Sequence, residues 1–144
     1  MYDALDVAAY IVHYCKQKKW PISNLKLQKI LYFVQAQFLV ARGEPCFYNG
    51  IEAWDFGPVV PEVYHEYKIF GSSNIIQPNN KIFSRNISED DRNLIEIVVS
   101  ECNDFSASQL IEITHNQSPW VEAYQEHMNN IITNEAIQQY FNEG

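Results

Sequence analysis

Residues 25–43, LKLQKILYFVQAQFLVARG, decide the fold class. Leu27, Ile30, Leu31, Val34, Phe38 and Ala41 recur at helical spacing on one face. Ser23 or Asn24 stands where an N-cap is needed, and Gly43 closes the run. Gln28, Tyr32 and Gln35 recur at i, i+4 and i+7 on the flank of that stripe. They form either a strip of amide and phenol groups able to hydrogen-bond extended backbone, or a solvated helix flank.

Upstream, Asp3 caps a predicted helix whose apolar stripe is Leu5, Ala8, Ala9, Val12 and Cys15, with Tyr2 and Val7 as a hydrophobic staple. It ends before Pro21, and the short link to the next helix predicts antiparallel packing. Downstream, CFYNGIEAW, residues 46–54, places Asn49-Gly50 between short apolar runs and predicts a tight β-hairpin turning there. Gly57-Pro58-Val59-Val60-Pro61 cannot be mid-helix, because a proline there lacks the amide proton and crowds the preceding turn. Pro61 instead suits the first position of a third helix, whose contact face is Val60, Val63, Tyr64, Tyr67 and Phe70 and whose end is Gly71.

Residues 72–87 read as a loop with a second hairpin around Pro78-Asn79-Asn80. Ser88 caps a fourth helix with Glu89, Asp90 and Asp91 at its positive end, and Ser106 with Gln109 makes a capping box for a fifth. Ser118-Pro119 starts a short helix bearing Trp120 and Tyr124, and Thr133 or Asn134 opens a last one. The expected architecture is mainly α with a minor β part: a bundle of about six helices with one or two short β-hairpins, in one domain over residues 1–144.

Eighteen acidic against ten basic side chains, a net charge of -8, repel phosphate backbones and anionic membranes, so neither nucleic acid nor membrane is an expected partner. The basic run KQKKW, residues 16–20, falls where a helix C-terminus favours cations anyway. Cys15, Cys46 and Cys102 are odd in number and lack a C-x-x-C pair, which argues against a disulfide framework or zinc site and suits a reducing cytoplasm. The N-terminal segment is acidic where a signal peptide is basic, and no apolar run approaches the roughly 20 residues that span a bilayer.

Metal and cofactor sites are not expected. His13, His65, His115 and His127 show no ligand spacing, and no glycine-rich phosphate loop is present. A small hydrolase using Cys102 or Ser106 with His115 and Glu112 is an alternative, against which capping explains Ser106 and core periodicity explains Cys102. Paired-carboxylate chemistry at residues 89–91 is likewise absorbed by the helix N-terminus. The chain is therefore not expected to be an enzyme. A richer constellation is Trp54, Phe56, Tyr64 and Tyr67 around a backbone stiffened by Gly57, Pro58 and Pro61. Rings on a stiff frame lose little entropy on contact and suit protein binding. The competing assignment is core: Trp54 and Tyr64 lean that way, while Phe56 and Tyr67 stay open.

Three segments, LKLQKILYFVQAQFL at 25–39, GEPCFYNGIEAWDFGPVVPEVYHEY at 43–67 and LIEITHNQSPWVEA at 110–123, together resemble the Panacea domain of SocA-like antitoxins, a family that includes phage-associated proteins. The resemblance implies a cytoplasmic toxin-neutralising module that binds a toxin encoded beside it. One relative instead delivers its toxin to a protease, so a proteolytic adaptor with a protease partner is the alternative. No separate DNA-binding domain fits in the chain, so direct autoregulation is not expected. The expected partner-binding residues are Gln28, Tyr32, Gln35, Phe56, Tyr64, Tyr67 and Trp120, framed by Trp54, Gly57, Pro58 and Pro61.

Overall fold

The computed structural model describes residues 1–76 and 86–143. Seven α-helices form among them: α1 (Ala4–Lys18), α2 (Asn24–Arg42), α3 (Pro61–Tyr67), α4 (Glu89–Asn103), α5 (Ala107–His115), α6 (Ser118–Ala123) and α7 (Asn134–Glu143). A small antiparallel sheet of β1 (Ile51–Trp54), β2 (Gly57–Val59) and β3 (Ile131–Ile132) runs in the order β2-β1-β3. The fold is mainly α with a minor β part. The hairpin expected around Pro78-Asn79-Asn80 lies outside the described residues.

The helix boundaries follow from their caps. Asp3 accepts from the Leu5 amide at 2.9 Å, Ser23 from Lys26 at 3.3 Å and Ser88 from Asp91 at 3.2 Å. Each satisfies a donor that the first turn leaves without an intrahelical partner. Ser106 and Gln109 form the reciprocal capping box at α5, and Pro61 occupies the start of α3. α2 stops at Gly43, whose left-handed φ of 71° lets its amide return to the Leu39 carbonyl.

The hairpin turn lies elsewhere than expected. Trp54 pairs with Gly57, so the chain reverses at Asp55-Phe56 rather than Asn49-Gly50, and the positive φ falls on Gly57, at 99°. Asn49 instead anchors the start of α1. Its Oδ1 accepts from the first amide of that helix, on Ala4, at 2.7 Å, and its Nδ2 donates to Glu62. Residues 46–48 run beside the N-terminal segment, with a parallel bridge between Tyr2 and Phe47.

α2 is the central element, packed by α1, α3, α4, α5, α7 and β2. Its apolar stripe meets the helices, with Leu27, Ile30, Leu31 and Val34 all buried. The face bearing Gln28 and Gln35 is covered by extended chain around residues 46–47 and 58–60, and this places polar side chains in the interior.

Candidate functional site

The polar residues of α2 define the first layer of the site. Gln28, Lys29, Tyr32 and Gln35 are 0% exposed, so the expected amide-phenol strip does not face a partner. Gln28 and Gln35 hydrogen-bond extended backbone, but the backbone is the protein's own. Gln35 accepts from the amides of Cys46 and Phe47 at 2.8 and 3.1 Å and donates to the Phe47 carbonyl at 3.0 Å. Gln28 accepts from the Val60 amide at 2.9 Å and donates to Asn24, which in turn donates to the Tyr64 carbonyl. Tyr32 donates to Gln117 at 2.8 Å, and burial raises its phenol well above the usual range. Gln35, Gln28 and Asn24 thereby satisfy main-chain groups of the extended segments and of α3.

Lys29 is the residue whose position the sequence reading missed. Its Nζ donates to the Pro58 carbonyl at 2.8 Å, and burial pushes its ammonium down to about 7. A signal was available: Lys29 continues the spacing of Phe33, Ala36 and Val40 toward the helix N-terminus, where β2 packs on α2. Gly57 makes that covering possible. A Cβ built on it would sit 2.7 Å from Lys29 Cε and 2.9 Å from Thr114 Oγ1, so the strand closes on α2 and α5 only with no side chain there.

Above this layer lies a cluster of half-buried rings. Trp54 meets Tyr64 at 5.0 Å and Phe56 at 6.0 Å, and Phe56 stacks on Tyr64 at 6.3 Å. A second stack runs from His115 to Trp120 at 4.1 Å and on to Tyr124 at 4.5 Å. The two are tied by Trp120 Nε1, which donates to the Trp54 carbonyl at 2.8 Å, and by the Tyr124 hydroxyl, which donates to Asp55. That bond raises the Tyr124 phenol, because Asp55 holds its proton. Trp54 Nε1 also reaches Glu52 at 2.9 Å, so carboxylates edge the rings.

Phe56, Tyr64 and Trp120 from the expected binding set thus come together with Trp54, and the structure adds Tyr124, His115 and Asp55. Tyr67 stands apart: it packs against the core from the last turn of α3, and burial pushes its phenol up to about 12. Gly57, Pro58 and Pro61 frame the cluster, with Gly57 and Pro58 buried in β2.

The hydrolase alternative finds no support in the geometry. Ser106 and His115 lie at opposite ends of α5, about 13 Å apart at 1.5 Å per residue. Cys102 is only 6% exposed, and burial pushes its thiol up to about 12, which keeps it protonated and a poor nucleophile. Among the described residues His115 Nε2 is buried without a hydrogen-bond partner, and its ring is committed to the Trp120 stack. Among the described residues no group of His, Cys, Asp and Glu could hold a metal ion, and no helix is long and apolar enough to cross a membrane.

The motifs that converge here are matched by a known family. Residues 27–121 fit the model of the family described as antitoxin SocA-like, Panacea domain. The chain is 38% identical over 128 residues to antitoxin SocA of Caulobacter vibrioides strain NA1000 / CB15N, covering 82% of this chain and 68% of that relative. No solved structure matches it closely enough to count as a relative.

Proposed function

We propose, because this chain belongs to the SocA-like antitoxin family defined by the Panacea domain, that it is an antitoxin which neutralises a cognate toxin by direct, stoichiometric binding. The ring cluster of Trp54, Phe56, Tyr64, Trp120 and Tyr124 is the face that engages the toxin. The observation that supports this is its construction. Two ring stacks from separated parts of the chain are half-exposed, yet held in fixed directions by hydrogen bonds from Trp120 to Trp54 and from Tyr124 to Asp55. Preorganised aromatic side chains supply much contact area at small entropic cost and dominate the energetics of protein interfaces. An interface of standard size, ~1,600 Å² in total, has room for this cluster at its centre and for the surrounding carboxylates at its rim.

The mechanism is occlusion. The toxin's working surface is covered while the antitoxin makes and breaks no covalent bond, and the partner is encoded nearby in a cytoplasm both share. The test is coexpression of the chain with the product of the adjacent gene, followed by copurification, titration of toxin activity and measurement of the toxin's half-life. Occlusion predicts a complex of fixed stoichiometry, loss of activity that ends at equivalence, and a toxin that stays abundant while inert. Rescue at substoichiometric amounts, or a toxin whose lifetime shortens when the chain is present, overturns it.

A further inference from the structure

A second surface lies on the far stretch of α2. Phe33, Ala36 and Val40, at i, i+3 and i+7, floor a groove of about 310 Å³ whose other wall is built by Val98 of α4, Phe105 and Ile113. Val40 is 42% and Phe105 41% exposed, which leaves large apolar side chains in water at both edges. The groove continues past Phe105 and Ile113 toward Glu112 and Asn116. None of these residues belongs to the ring cluster, so the surface is separate from the proposed toxin face.

We propose that this groove is a docking site for a short amphipathic helix of another protein, apolar on one face and carrying lysine or arginine along its edges. Three features specify that occupant. The floor follows one helical stripe for about 10 Å, two turns, and so presents a ridge-and-groove surface that another helix fits. The open volume accommodates a few anchoring side chains rather than a folded domain, since it sits at the small end of the range of roughly 300 to 1,000 Å³ for binding pockets. The charges are of one sign: Glu101 lines the groove, Glu112 lines its continuation, and among the described residues no lysine or arginine lines either part. Among the described residues, Lys26 reaches the Asn103 carbonyl at the C-terminal end of α4. Basic edges on the occupant complement this rim, whereas an anionic membrane or acidic helix meets repulsion.

The test uses the full chain, isotope-labelled for NMR, and three synthetic helical peptides of roughly 14 residues. One has a leucine and phenylalanine face with lysine edges, the second has the same face with glutamate edges, and the third keeps the lysines but replaces the apolar face by serine. The lysine-edged amphipathic peptide binds saturably, with shifts confined to the groove, and the other two bind at least about tenfold more weakly. Phe105→Ala, at an exposed position, weakens the first peptide about tenfold or more while the melting curve stays in place. Glu101→Lys abolishes the preference for lysine over glutamate edges. Equal binding of the two amphipathic peptides, binding by neither, or shifts centred on the ring cluster overturns the proposal. So does self-association of the chain that Val40→Arg abolishes, which assigns the groove to a second copy. Failure of the toxin-face substitutions leaves this outcome untouched, because the two residue sets do not overlap.

Discussion

Lys29 Nζ lies 2.8 Å from the carbonyl oxygen of Pro58, with the side chain wholly enclosed between α2 and the hairpin. A buried ammonium with a carbonyl as its partner is held in a costly state, and losing its proton relieves the cost. The folded pKa, about 7, lies below the ordinary lysine value, so between the two the unfolded chain binds more protons. Stability from this group therefore rises with pH across that window. Urea unfolding of the native chain and of Lys29→Met at pH 7 and pH 9 isolates the effect. The native chain should gain on the order of 2 kcal/mol relative to the variant over that interval.

Gly57→Ala should destabilise the fold by about 2 kcal/mol or more. The new methyl both meets Lys29 and Thr114 and forces a non-glycine residue to hold a φ of 99°. Because Lys29 is fully enclosed, its flexible stem has nowhere to retreat. Thermal and urea unfolding measure the loss, and an unchanged midpoint refutes the packing described for β2.

Gln35→Leu should cost about 2 to 3 kcal/mol, since the amides of Cys46 and Phe47 and the Phe47 carbonyl lose their partner at once inside the protein. Its effect on toxin neutralisation should track its effect on unfolding. Loss of neutralisation by a variant of native stability would restore Gln35 to the binding set.

Phe56→Ala should behave in the opposite way. The side chain is half-buried at the hairpin turn, its contacts are with the Trp54 and Tyr64 rings, and its loss leaves no buried polar group behind. Toxin binding measured by calorimetry should weaken by about 2 kcal/mol or more while the melting temperature changes little.

Burial pushes the thiols of Cys15 and Cys102 up to about 11 and about 12, and that of Cys46 higher still. Native protein at pH 8 should therefore be alkylated by iodoacetamide far more slowly than protein in denaturant. Cys102→Ala should retain full neutralisation. Inactivation by that substitution, with the fold intact, would reopen a catalytic role.

Helix starts were legible because capping is local chemistry: Asp3, Ser23, Ser88 and the Ser106-Gln109 pair each act within one turn. The class of fold followed from them and from apolar periodicity. The hairpin turn was misplaced because Asn49-Gly50 carries the usual local signature, while the deciding contact of Asn49, with the Ala4 amide, is 45 residues away in sequence. The burial of Gln28, Tyr32 and Gln35 was not legible for a related reason. Periodicity reports which face of a helix is apolar, not which polar face extended chain will later cover. The two-residue strand Ile131–Ile132 is too short to show any alternation. At the site, Phe56 and Tyr64 could be read beside Trp54 because they share one stretch of chain, but the tie of Trp120 and Tyr124 to them depends on a meeting of the α6 region with the hairpin that no local pattern encodes.

The two hydrogen bonds that fasten the α6 region to the hairpin turn join positions 66 and 69 residues apart. A linear fragment excised from either side therefore retains half of the ring assembly and none of its orientation. Mimicry by peptides should fail, and a single proteolytic nick that lets the two halves part would erase the whole epitope. The working lifetime of such a surface is the lifetime of the intact tertiary structure, so whatever sets the rate of degradation also sets how long the surface can act.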